Sequence, residues 1–116
     1  MSLRIGIDIG STTVKVVVLD EDNKLLFRSY ERHYSKARER ACETLHSIQD
    51  KLRGKNIKLV ITGSAGLGVA RAAGIDFVQE VYATAAAVNT YIPGTDAVIE
   101  LGGEDAKIIF FGGALE

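Results

Sequence analysis

Apolar residues alternate with small or polar ones at the start of the chain. Isoleucines at every second position from 5 to 9 are separated by Gly6 and Asp8, and valines resume the alternation between residues 14 and 18. A period of two predicts a β-strand with one buried face. The polar break between the two runs begins with Gly10, and glycine can adopt the positive φ values that a tight turn often needs. The pattern predicts a hairpin with Asp8 at its tip.

Strand and helix patterns alternate along the following residues. A third strand is predicted over 25–34, at the sheet edge, and a fourth over 57–62. Ser35 is predicted to cap a helix that runs to about residue 53, because apolar residues recur there at steps of three and four. A right-handed crossover after this helix would make the fourth strand parallel. Shorter elements follow: a helix to about residue 73, a strand over 75–78 and a helix over 79–91.

The first turn has the composition of an anion site. Amides that follow a glycine can point together at an anion, and a carboxylate beside them suits a divalent cation held between it and a phosphate. Lys15 would add a point charge. The turn amides are those of Ser11, Thr12 and Thr13. The same residues also suit an ordinary hairpin turn, so the stretch alone leaves both interpretations open.

A second stretch repeats this layout about ninety residues later. Residues 99–111 contain an apolar strand with Glu100, a Gly102-Gly103 turn, a polar segment that includes Lys107 and another apolar strand. Two acid-tipped hairpins indicate an internal duplication, which favours the phosphate interpretation. The Gly63-Ser64-Ala65-Gly66 turn is a weaker candidate phosphate loop, because it lacks the Lys-Ser/Thr ending of a P-loop.

The paired hairpins resemble those of the actin, sugar-kinase and heat-shock-chaperone ATPase superfamily, in which two related domains each offer a hairpin to one nucleotide. Within it, Gly6 to Thr13 and Glu100 to Lys107 resemble most closely the BadF/BadG/BcrA/BcrD-type ATPases. These include the activators of 2-hydroxyacyl-CoA dehydratases and the ATPase subunits of benzoyl-CoA reductases. The second motif is the more specific one, since a Gly-Gly-Gln-Asp-Ser-Lys type is peculiar to this group, and residues 102–107 here read Gly-Gly-Glu-Asp-Ala-Lys.

The resemblance implies an α/β fold of the ribonuclease H-like actin type, with a mixed five-stranded sheet and flanking helices. Residues 1–93 would form the first subdomain, and residues 94–116 would form the first hairpin of a second one. The chain is therefore expected to be the first part of a longer protein, similar to the N-terminal domain of the large activase-related proteins.

The resemblance also implies ATP or ADP with Mg²⁺ as cofactors. Asp8 and Glu100 would hold the metal directly or through water, and Lys15 would neutralise phosphate charge. Glu104 or Asp105 would orient the attacking water, although either also suits a hairpin turn. The backbone donors to phosphate would be Gly10, Ser11, Thr12, Thr13, Gly102 and Gly103.

Some positions depart from the family pattern. Glu100 stands where aspartate is usual. The small activators have a cysteine ligand for an iron–sulfur cluster about ten residues before a proline, and counting back from Pro93 reaches Ala83. An iron–sulfur cluster is therefore not expected in this chain.

Composition excludes several partners and sites. A net charge of −1 gives no field that would attract nucleic acid or an anionic membrane, and no apolar run has the length of a membrane helix, so a cytoplasmic location is expected. Cys42 is the single cysteine, which excludes an intramolecular disulfide, and it is expected to pack as a small apolar residue. His33 and His46 are isolated and are expected to be solvated or core-edge residues.

Three functional hypotheses follow. The first is the N-terminal part of an ATP-hydrolysing activator of a 2-hydroxyacyl-CoA dehydratase or a benzoyl-CoA reductase type enzyme, in which this chain alone is expected to be inactive. The second is a sugar-kinase-like phosphotransferase of the same superfamily. The third is a non-catalytic actin-like interaction module that associates with itself through an unpaired hairpin edge.

Overall fold

The computed structural model describes residues 2–101 and 106–111. Backbone contacts divide the chain into two compact units, residues 1–78 and residues 79–116. The subdomain boundary that the sequence suggests after residue 93 stays a prediction. Within the described residues, no helix is long and apolar enough to cross a membrane.

The first unit is a five-stranded sheet with helices. Its elements are β1 (Ser2–Ile9), β2 (Thr13–Leu19), β3 (Leu25–Arg32), α1 (Ala37–Ser47), α2 (Gln49–Leu52), β4 (Asn56–Thr62), α3 (Gly66–Ala73) and β5 (Asp76–Phe77). The strand order is β3-β2-β1-β4-β5. The first three strands pair antiparallel, whereas β4 is parallel to both β1 and β5. The predicted mixed sheet, its parallel fourth strand and its β3 edge are confirmed.

The core lies on one face of this sheet, under the helices. Every second residue of β1 and β2 is buried there, as the alternation predicted, and α1 contacts β2 while α3 contacts β4 and β5. The helices contribute small or aliphatic side chains at the predicted spacing. The buried apolar residues of the unit are Leu3, Ile5, Ile7, Ile9, Val14, Val16, Val18, Ala41, Ile48, Ile61 and Ala70.

Core packing at Ile61 can be tested by removing one methylene. Ile61 is only 2% exposed, so Ile61→Val should lower the free energy of unfolding by about 1 kcal/mol through lost burial and a small cavity. Ile57→Val on the same strand is the control, because Ile57 is 42% exposed and its substitution should change stability by less than about 0.5 kcal/mol. Urea unfolding measures both, and equal effects would contradict this position of the core.

The predicted helix over residues 35–53 differs from the structure in three details. Lys36, not Ser35, precedes α1, and no side chain caps that end, because Ser35 has a positive φ of 62°. Ile48 interrupts the helix and separates α1 from the single turn α2. Cys42 is exposed rather than packed, because the buried face of α1 consists of Ala41 and Thr44.

The described residues of the second unit form one helix and one hairpin. Its elements are α4 (Glu80–Tyr91), β6 (Ala97–Leu101) and β7 (Ala106–Phe110), and the two strands pair antiparallel. One face of the hairpin includes the buried Ile109. The other face is apolar and exposed, and we call it the outer hairpin face. Its large residues are Ile99, Leu101, Ile108 and Phe110.

Candidate functional site

The first hairpin places an acid and a lysine directly opposite each other. Asp8 on β1 pairs in register with Lys15 on β2, and the Lys15 Nζ lies 3.5 Å from the Asp8 Oδ2. The Lys15 Nζ also lies 5.3 Å from the ring centroid of Tyr30 on β3. Because the side chains of Asp8 and Lys15 are 38% and 41% exposed, both remain accessible to a ligand.

The turn between β1 and β2 is fixed by backbone hydrogen bonds. The Gly10 N–H donates to the Thr13 carbonyl at 2.9 Å, which closes the turn. The Gly10 amide is therefore already engaged within the turn. The next amides, those of Ser11, Thr12 and Thr13, are the candidate anion donors.

The segment after β4 packs against the acid of the first hairpin. Thr62 is the register partner of Asp8, and the Ala65 N–H donates to the Ile9 carbonyl at 2.9 Å. Gly63 has a φ of +104°, and a Cβ built on it would lie 2.6 Å from the Asp8 Oδ1 and 2.2 Å from the Ile9 carbonyl oxygen. Only a glycine fits this position, so the Gly63 backbone forms one wall beside the carboxylate.

The second unit repeats the acid–lysine pair. Glu100 on β6 is the register partner of Lys107 on β7, and the Lys107 Nζ lies 3.7 Å from the Glu100 Oε1. Each lysine follows its acid by seven residues, so the two hairpins have the same register and the same turn length. Two residues of α4 contact this second pair. The Glu80 Oε2 lies 2.5 Å from the Lys107 Nζ, and the Thr84 hydroxyl donates to the Glu100 Oε2 at 2.9 Å.

Four predicted site residues lie outside the described residues. They are the two turn glycines and the two acids of the second hairpin: Gly102, Gly103, Glu104 and Asp105. Their assigned roles stay predictions.

The donor set of the first hairpin suits Mg²⁺ bound together with a nucleotide. Mg²⁺ takes oxygen ligands and is commonly held by one or two carboxylates, water and substrate phosphates. Asp8 supplies one accessible carboxylate of this kind. In the described part of the chain, no group of three or more His, Cys, Asp or Glu side chains could hold a metal alone. The accessible Asp8 carboxylate therefore fits a site in which Mg²⁺ is shared with a phosphate.

Two contacts at this site were not predicted, although the Gly63-Ser64-Ala65-Gly66 turn was a weaker candidate phosphate loop. His33 is buried and contacts the first turn, although its isolation in the sequence indicated an ordinary histidine. Gly63 contacts Asp8, although only its glycine-rich turn was visible in the sequence. The available signal in the sequence was position: His33 lies near the end of the predicted third strand, and Gly63 immediately follows the predicted fourth strand.

Comparison with protein-family models identifies a match. The model of the BadF/BadG/BcrA/BcrD ATPase family matches residues 5–114. A sequence search of curated proteins found no match.

Solved structures share the fold of the chain. The activator of the 2-hydroxyisocaproyl-CoA dehydratase from Clostridium difficile, solved with bound ADPNP, is 26% identical with a TM-score of 0.72, over 95% of this chain and 41% of that one. Component A of the (R)-2-hydroxyglutaryl-CoA dehydratase from Acidaminococcus fermentans is 22% identical with a TM-score of 0.74, over 97% of this chain and 44% of that one. The chain thus spans less than half the length of either protein, and its actin-like ATPase fold is confirmed.

Proposed function

The chain belongs to the BadF/BadG/BcrA/BcrD ATPase family, and on this basis we propose that it binds Mg²⁺–ATP as the N-terminal part of an ATP-hydrolysing enzyme activator. The observation that carries the proposal is the acid–lysine pair, which occurs in the same register in both hairpins. An ordinary hairpin turn requires neither charge. A charge pair repeated with the same turn length is expected when two copies of one motif bind the same kind of ligand.

Different residues of the first hairpin are proposed to bind the metal and the phosphates. In this proposal Asp8 binds the metal, whose positive charge offsets the repulsion between carboxylate and phosphate. Lys15 contacts Asp8 before the nucleotide arrives and then contacts a phosphate oxygen. Amides from Ser11 to Thr13 donate hydrogen bonds to phosphate without needing to reorganise.

The second hairpin is proposed to act in the corresponding way. Glu100 is the candidate metal ligand there, oriented by the Thr84 hydroxyl and by Lys107. Gly102 and Gly103 are the proposed phosphate donors, and Glu104 or Asp105 is proposed to orient water.

The partner is proposed to be a dehydratase or reductase that acts on acyl-CoA substrates. The support is the likeness to the Clostridium difficile protein, which is an activator of a dehydratase. An iron–sulfur cluster is not part of the proposal, because the methyl group of Ala83 cannot ligate iron. We propose that the protein acts in the cytoplasm. Self-association of the chain would be detected as a dimer in solution.

The proposal is tested with the full-length natural protein, purified from cells. Calorimetry should detect ATP binding that depends on Mg²⁺, and purified protein should release phosphate from ATP without an added acceptor. Release of ADP only when a hydroxylated substrate is added would instead indicate a phosphotransferase. A dimer in solution with no nucleotide binding would indicate an interaction module.

Removing the charge of Lys15 tests its phosphate role separately. Lys15→Met should weaken ATP binding about tenfold, since a charge-assisted contact to a phosphate is lost. Its pair with Asp8 is exposed, so the fold should lose little stability. Lys58→Met removes a lysine from the exposed surface of β4 and is the control for the change in net charge. Equal ATP affinities for the two variants in calorimetry would contradict the role of Lys15.

A further inference from the structure

His33 lies just beyond the end of β3 and is one of the few buried polar residues, with 6% exposure. Both ring nitrogens have backbone partners. The Ser35 N–H lies 3.0 Å from Nδ1, and the Gly10 carbonyl oxygen lies 2.9 Å from Nε2. The backbone N–H of His33 also donates to the Thr12 carbonyl at 3.0 Å. One residue just after the third strand thus holds two carbonyls of the first turn.

These partners indicate the tautomer of the ring. A backbone N–H only donates, so Nδ1 must accept from Ser35 and cannot carry a proton. A carbonyl oxygen only accepts, so Nε2 must carry the proton and donate it to the Gly10 carbonyl. His33 is therefore the neutral Nε2–H tautomer, with both ring nitrogens satisfied.

This hydrogen bond orients the peptide group between Gly10 and Ser11. A trans peptide is planar, and its C=O and N–H point in opposite directions. When the Gly10 carbonyl points toward the buried ring, the Ser11 N–H must point away from it. Without this contact the peptide could rotate, because a glycine on one side gives it unusual freedom.

The backbone after His33 is shaped to keep the ring in place. Tyr34 and Ser35 have φ values of 49° and 62°, which are unusual for residues with a side chain and carry a conformational cost. This bend brings the Ser35 N–H to Nδ1, and the Lys36 N–H closes it by donating to the His33 carbonyl at 2.8 Å. The bend orients the ring, and the ring orients the turn.

We propose that His33 is a positioning residue for nucleotide binding, which holds the Gly10–Ser11 peptide so that the Ser11 amide is presented to a phosphate. This inference rests on the proposed function, since it assigns a role within the same site. His33 itself does not contact the nucleotide in this account. Its side chain acts through the Gly10 carbonyl, whereas the bond from its backbone N–H to the Thr12 carbonyl does not depend on the side chain.

Two amide substitutions separate the two hydrogen bonds of the ring. A glutamine side chain has a length that places its amide N–H near the position of Nε2, so His33→Gln keeps the donor to Gly10. An asparagine side chain places its oxygen near the position of Nδ1, so His33→Asn keeps the acceptor for Ser35 but does not reach Gly10. His46→Gln is the control, because His46 is exposed on α1.

The expected result is a specific change in the KM for ATP, measured in the protein as the cell makes it. His33→Asn should raise this KM about tenfold, with kcat changed less than about twofold, because a ground-state contact is lost. His33→Gln should retain a KM within about threefold of wild type. A general loss of stability would affect both variants, and only His33→Asn lacks the donor to Gly10, so a higher KM for His33→Asn than for His33→Gln reports the loss of that bond.

Three outcomes decide the inference. Equal KM values for His33→Asn and His33→Gln, in a wild-type protein that binds Mg²⁺–ATP, would overturn the positioning role and leave the proposed function intact. A wild type that does not bind Mg²⁺–ATP would overturn the proposed function and this role with it. Nitrogen NMR of the nucleotide-free protein should show the Nε2–H tautomer of His33, and the Nδ1–H tautomer would overturn the bond to Gly10 on which the positioning role rests.

Discussion

Replacement of Asp8 by asparagine should abolish Mg²⁺-dependent ATP hydrolysis while the protein stays folded. Asparagine has the same shape but no charge, so it cannot offset the charge of a cation beside the phosphates. Loss of this ligand should reduce kcat about a thousandfold, since metal stabilisation of phosphoryl transfer amounts to several kcal/mol. The measurement is steady-state phosphate release by the protein as the cell makes it, at saturating ATP and Mg²⁺.

The fold should tolerate this change because Asp8 is not a core residue. Its carboxylate is 38% exposed, and exposed ion pairs such as the one with Lys15 contribute about 0–1 kcal/mol. Asp50→Asn is the matched control: it removes an exposed aspartate that pairs with Arg53 on the surface. Full turnover by Asp8→Asn would refute the assignment of Asp8 as a metal ligand.

Substitution of Gly63 by alanine should unfold the first unit or severely destabilise it. A Cβ at this position would lie 2.2 Å from the Ile9 carbonyl oxygen, and the φ of +104° is unfavourable for any residue with a side chain. The two penalties together should cost about 3 kcal/mol or more, a large fraction of the stability of a small domain. Any folded population should also show weaker Mg²⁺–ATP binding, because the new methyl group displaces Asp8.

Gly68→Ala is the control for this substitution. Gly68 lies within α3, and a Cβ there would meet no atom within 4 Å. Alanine favours a helix over glycine, so this variant should be as stable as wild type or more stable by up to about 1 kcal/mol. Circular dichroism during urea unfolding compares the two. Equal midpoints would show that the Gly63 turn has room that the structure does not give it.

Much of the fold could be predicted from the sequence because local patterns determine it. Alternating isoleucines and valines define one buried face of β1 and β2, and this face is the observed core. The apolar spacing of the helix predicted over residues 35–53 likewise located the buried Ala41 and Ile48. The details that failed depend on tertiary contacts. Ser35 does not cap the helix, because its amide is held by the His33 ring in a bend with positive φ.

The candidate site was predictable only where it is contiguous in sequence. Asp8, Lys15 and the turn between them lie within one hairpin, so their register followed from the alternation. Contacts between distant segments could not be found in this way. Gly10 and His33 are joined only because β3 pairs with β2, and Asp8 meets Gly63 only because β4 is parallel to β1.

The outer hairpin face determines how this stretch would behave on its own in a test tube. Ile99 and Leu101 flank Glu100 and are 68% and 78% exposed. The corresponding residues of the first hairpin, Ile7 and Ile9, flank Asp8 and are buried. An apolar strand pair exposed to water favours association between copies, through its edge or its face. The highest concentration at which residues 1–116 stay in solution should therefore be set by association through this face, and not by unfolding of the first unit.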